Sequence, residues 1–113
     1  MSNPKPAQPA SSVPGQSVQT MQPDTAEQVT ANTGGATSTN TAASGLVSIY
    51  AAGDCWYDFG DSSPVTVAND GSSHFIAGGE RLTPSCPPGS YVGLRRVGSD
   101  DVTVYLSFGK NVG

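Results

Sequence analysis

Cys55 and His74 are the first residues to weigh. A thiol beside an imidazole can form a covalent nucleophile, and His74 is the chain's single histidine. It follows the Ser72-Ser73 turn, where exposure is expected, and so small a body leaves little room for a substrate cleft. Asp54, Asp58 and Asp61 cluster in sequence, and calcium needs several oxygen ligands. The EF-hand order of acids, glycine and closing Glu is missing. Asp54 and Asp58 would lie roughly 13 Å apart along an extended strand, too far for one ion to bridge without a bulge. Asp58-Phe59-Gly60 matches the kinase metal-binding tripeptide by letters alone, because a kinase also needs a nucleotide lysine and a catalytic loop. No phosphate-cradling glycine loop and no two-histidine zinc spacing is present. The expectation is a protein that is not an enzyme and takes no cofactor or metal.

Cys55 and Cys86 leave two readings open. A bridge would close a loop worth about 3–4 kcal/mol in the chain-entropy model. In a reducing cytosol the same residues would be two buried thiols.

Contact chemistry has better material. Trp56, Tyr91 and Tyr105 fall on outward positions of alternating stretches, where aromatics either complete a second layer of core in so small a module or stack on sugars and anchor a protein interface. Arg81, Arg95 and Arg96 are the chain's guanidinium groups, and arginine is enriched at interfaces because its planar fork pairs carboxylates. These six are the candidate interface residues.

The elements that must carry them are strands. In Val102–Phe108, Val102, Val104, Leu106 and Phe108 share one face and Thr103, Tyr105 and Ser107 the other, a period of two. In Cys55–Phe59, Cys55, Tyr57 and Phe59 point inward. Trp56 then points outward with Asp54 and Asp58, since burying unpaired aspartates costs several kcal/mol. Leu46–Ala51, Val65–Val67, His74–Ile76 and Arg81–Thr83 read as further strands, with Asn69-Asp70-Gly71-Ser72 as a hairpin turn. Tyr91–Val97 and Val102–Phe108 read as a hairpin across Gly98–Asp101. No window shows a capped helical period. Turns every eight to twelve residues predict an all-β fold, a small antiparallel sandwich or barrel.

Composition divides the chain of 113 residues. Residues 1–44 contain no Leu, Ile, Phe, Tyr or Trp, and their only charges are Lys5, Asp24 and Glu27. Such a segment buries too little apolar surface to offset its ordering entropy. The expectation is a long, extended, low-complexity arm over 1–44 and a folded module over 45–113. So small a module gains from a partner or self-association. The net charge of −4, with few scattered cations, argues against nucleic acid. No run of eighteen apolar residues suggests a membrane span, and the N-terminus lacks the apolar stretch of a secretory signal.

Gly53-Asp54-Cys55-Trp56-Tyr57-Asp58-Phe59-Gly60, Gly79-Glu80-Arg81-Leu82, Pro88-Gly89-Ser90-Tyr91-Val92-Gly93-Leu94 and Val102-Thr103-Val104 together resemble small β-sandwich virion proteins of tailed bacteriophages. The resemblance spans about residues 46–108. It implies a decoration or cement role on the capsid, with the major capsid protein or another virion protein as partner. It also implies a homo-oligomer, a trimer favoured, made in the host cytoplasm and carried on the virion surface. The alternative is a ligand- or carbohydrate-binding module on a head fibre, tail or host-recognition part.

Overall fold

The computed structural model describes residues 22–110. They form eight strands: β1 (Pro23–Ala31), β2 (Ala36–Ala42), β3 (Val47–Ala51), β4 (Cys55–Gly60), β5 (His74–Ile76), β6 (Arg81–Leu82), β7 (Ser90–Arg96) and β8 (Val102–Gly109). The first sheet has the order β1-β8-β3-β6 and the second β2-β7-β4-β5, every pairing antiparallel. The all-β sandwich expected from the alternation is therefore present. Its nested pairs β1–β8, β2–β7, β3–β6 and β4–β5 give it jelly-roll connectivity.

One layer of inward side chains fills the space between the sheets. Val47, Ile49, Ala51, Val104, Leu106 and Phe108 from the first sheet meet Cys55, Tyr57, Ile76, Val92 and Leu94 from the second, all buried. Phe59 packs against this layer while partly exposed. The inward faces read from Cys55–Phe59 and Val102–Phe108 are the observed ones.

Three expectations change. The boundary at Gly45 is too late, because β1 and β2 lie inside the supposed arm and belong to the sandwich; its residues 1–21 lie outside the described residues. β1 runs the length of β8, from Pro23 opposite Gly109 to Ala31 opposite Val102, and β2 flanks β7. Backbone pairing holds them, while Val29, Ala31, Ser38 and Ala42 supply their buried share. Asn32 shapes the turn between them: its Oδ1 accepts the Gly34 N–H at 3.1 Å, and Gly35 takes a φ of 90°, which favours glycine.

Second, β7 and β8 are not a hairpin. Gly98–Asp101 carries the chain from one sheet to the other, so the two strands face each other across the core. Alternation tells which side chains are buried but not which strand is the neighbour.

Third, residues 65–67 are not a strand, and Asp70-Gly71 lies in a loop rather than a hairpin turn. The loop over 61–73 folds across the outer face of the second sheet. Thr37 Oγ1 accepts the Val65 N–H at 3.0 Å, and Arg95 Nη1 donates to the Val67 carbonyl at 3.1 Å. Ser73 Oγ accepts the Ala68 N–H and donates to Asp58 Oδ2. Gly93 makes the fit possible: a Cβ there would stand 2.7 Å from Val65 Cβ and Val67 Cγ2.

Candidate interaction surface

The two sheets present different outer faces. On the first, antiparallel register aligns Gln28 of β1, Tyr105 of β8, Tyr50 of β3 and Arg81 of β6 in one row. Side chains directly opposite on neighbouring strands lie on the same face, so this row forms a ridge across the sheet. Beside it runs a row of small residues, Ala26, Ser107 and Ser48. On the other side stand Thr30 and Thr103.

Tyr105 is 48% exposed and its ring centroid is 6.2 Å from that of Tyr50. Arg81 lies along the ridge, with Cζ 5.4 Å from the Tyr50 ring centroid and Nη1 donating to Ser48 Oγ at 2.7 Å. That contact helps explain why Ser48, on an outer face, is only 5% exposed. A cation over an aromatic ring is attracted by its quadrupole. The guanidinium is thus held by two contacts while Arg81 remains exposed.

On the second sheet the loop over 61–73 lies across the corresponding place. What stays open lies at one end, where Trp56 of β4 sits between Phe75 of β5 and Arg95 of β7. The Trp56 and Phe75 rings meet edge to face at 5.4 Å, and Phe75 is 47% exposed. Arg95 is engaged with the loop.

The six candidate residues therefore do not form one site. Arg81 and Tyr105 share the first outer face. Trp56, Tyr91 and Arg95 share the second, with Tyr91 opposite Thr41 and Gly60. Arg96 sits at the end of β7 in an ion pair with Asp101 at 2.7 Å. The alternation reading omitted Tyr50 and Phe75. Tyr50 was legible, since it alternates with the inward Ile49 and Ala51; Phe75 sits in a strand too short for a period to show.

Cys55 and Cys86 are both free, which corrects the bridge reading. Cys55 lies opposite Arg96 at the end of β7, whereas Cys86 is near Ser90 at its start. The separation is roughly 20 Å at strand spacing, against the 4.4–6.8 Å between Cα atoms that a disulfide usually spans. Burial pushes the Cys55 thiol up to about 11, the Arg95 backbone offsetting only part of it. Its Sγ donates to the Trp56 carbonyl at 3.3 Å, while His74 stacks on the Tyr57 ring at 5.3 Å. Thiol and imidazole are therefore engaged elsewhere and not with each other.

Two of the three clustered aspartates hold backbone. Asp54 Oδ1 accepts the Gly78 N–H at 2.8 Å, and Asp58 accepts Phe59 N–H and Ser73 Oγ. Among the described residues no group of three or more His, Cys, Asp or Glu is placed to hold a metal. Glu27 is the carboxylate sequence reasoning missed. It reaches from β1 to a bulge in β2, accepting the Thr39 N–H at 2.7 Å and the Asn40 N–H and Nδ2 at 3.0 Å each. Burial opposes its charge, but these donors outweigh it and hold the carboxyl below its ordinary value.

The chain matches no protein-family model, no curated protein and no solved structure.

Proposed function

We propose that this chain is a structural protein of a phage virion that decorates or cements the capsid, binding through the outer face of the first sheet. The observation that carries the reading is the ridge of Tyr105, Tyr50 and Arg81, which no loop among the described residues covers. Tyrosine and arginine are the residue types that dominate protein interfaces. The fold adds an analogy only: eight-stranded jelly rolls recur in viral coats and in lectins. The Pro-, Ser- and Gln-rich sequence over 1–21 suits a tether to neighbouring subunits, and a homotrimer would fit a threefold lattice point. The mechanism is mass action: a protein that binds the assembled shell but not its separated subunits stabilises the shell. The protein would be made in the host cytoplasm and leave on the capsid surface.

A second reading, a carbohydrate-binding module on a fibre or tail, is favoured by the exposed Tyr105 ring with hydroxyl and amide side chains around it. Sugars stack on such rings and bond to such groups. Co-sedimentation of the full chain with expanded shells of the phage that encodes it, alongside a glycan array, separates the two. Saturable shell binding with a blank array supports decoration. Glycan binding without shell binding replaces it with the second reading.

A further inference from the structure

We infer that the Arg81–Tyr50–Tyr105 ridge is a docking site for an extended acidic peptide segment of a partner protein, with a partner carboxylate on Arg81 and an apolar side chain on Tyr105. The inference rests on the assembly reading and deepens it by naming the chemistry of what the face holds.

The first ground is the state of Arg81. Its Nη1 bond to Ser48 and its position over Tyr50 hold the guanidinium in place. Arginine has five N–H donors in a fixed fork, and the residue is exposed. A fork already oriented loses less freedom on pairing with a carboxylate than a free side chain would.

The second ground is charge. The chain carries a net charge of −4, yet none of the outward residues that β1, β8, β3 and β6 align in these rows is a carboxylate. Glu80, next to Arg81, points its Oε1 at the Ala77 N–H. An outward-facing cation without a neighbouring acid on its own sheet favours an anionic partner and disfavours a basic one.

The third ground is size. Four strands span about 14 Å, and the rows from Ala26 to Thr30 about 13 Å along them. That is far below the roughly 800 Å² per partner of a stable interface between folded proteins. It accommodates about four residues of an extended segment at strand spacing.

The test is a selection from a random dodecapeptide library against the full-length chain, with a glycan array that includes uronate and sialate sugars. Enrichment of peptides with Asp or Glu beside Pro or aliphatic residues is expected. For the tightest of them, Arg81→Glu should weaken binding about tenfold or more, the scale of a lost charge-assisted hydrogen bond. Tyr105→Ala should also weaken it, whereas Phe75→Ala on the opposite face should not. Unchanged melting midpoints for Arg81→Glu and Tyr105→Ala separate lost contact from lost fold. Arg81→Lys, which keeps charge but not the fork, should restore only part of the binding. Recovery of no peptide, recovery of peptides without acids, indifference to Arg81→Glu, or an Arg81-dependent preference for an acidic glycan would each overturn the inference. A chain that selects acidic peptides but ignores shells would sink the capsid reading and leave the docking chemistry standing.

Discussion

The two outer faces of the sandwich are built from the same pleated geometry and differ in what lies on them. The second sheet is covered by its own chain: Gly93 clears a space, Val65 and Val67 fill it, and Arg95 and Thr37 hold the loop down. The first sheet has a tyrosine ridge in the equivalent place, with Arg81 laid along it. The aromatics most visible in the sequence thus have different environments. Trp56 packs beside Phe75 at the uncovered end of one face, and Tyr105 stands on the open ridge of the other. Outward alternation alone does not make an interaction surface; what else in the chain lies on that face decides.

The largest effect should come from the core both faces share. Leu106 lies inward and Thr103 outward on the same strand. Leu106→Ala should cost about 2–5 kcal/mol in urea unfolding, and Thr103→Ala should be close to neutral. Equal losses would mean the two sides of β8 are misassigned.

A smaller effect should distinguish the faces themselves. Gly93→Ala places a methyl group where Val65 and Val67 stand, so overpacking should cost about 1–3 kcal/mol. The Val65 and Ala68 amides, bonded to Thr37 and Ser73, should then exchange faster with deuterium. Tolerance of Gly93→Ala with unchanged exchange would mean that the loop does not cover the face.

Glu27 ties the sheets together along their β1–β2 margin. Glu27→Gln replaces a charged acceptor with a neutral amide and should cost about 1–2 kcal/mol near neutral pH, the lower part of the range for hydrogen bonds to charged groups because the site is partly solvated. Since the folded carboxyl sits below its ordinary value, its contribution is complete above the unfolded pKa of about 4.3 and is lost as pH falls through the folded one. The gap between wild type and variant should therefore close in acid. A gap constant from neutral to strongly acid pH would show that the carboxylate charge is not what matters. Smallest of all, Tyr105→Ala should move stability by no more than about 0.5 kcal/mol, as exposed surface positions do.

Much of the fold was legible because β3, β4, β7 and β8 alternate large apolar residues with polar ones. β1 and β2 were not, because an edge strand can be held by its neighbour's backbone and bury very little of its own. Gln28-Val29-Thr30-Ala31 does alternate, and Thr37, Thr39 and Thr41 are β-branched residues that suit a strand. With Asn32-Thr33-Gly34-Gly35 as the turn between them, these signals were present but small, and low hydrophobicity outweighed them. Val65-Thr66-Val67 failed in the opposite sense: its alternation serves to cover an outer face rather than to fill the core. As for the candidate surface, outwardness could be read for Trp56, Tyr91 and Tyr105. The grouping of Tyr105 with Tyr50 and Arg81 depends on β8 lying beside β3, and β3 beside β6, which no local pattern encodes.

If the protein attaches to a shell as proposed, the outer face of the first sheet, and not the covered face of the second, should carry the attachment. The direct measurement is retention of full-length chain on expanded shells through a density gradient, comparing wild type, Tyr105→Ala and Phe75→Ala at matched thermal stability. Wild type and Phe75→Ala should stay on the particles while Tyr105→Ala is lost. Loss of Phe75→Ala with retention of Tyr105→Ala would contradict it, as would a wild-type chain that never travels with the shells.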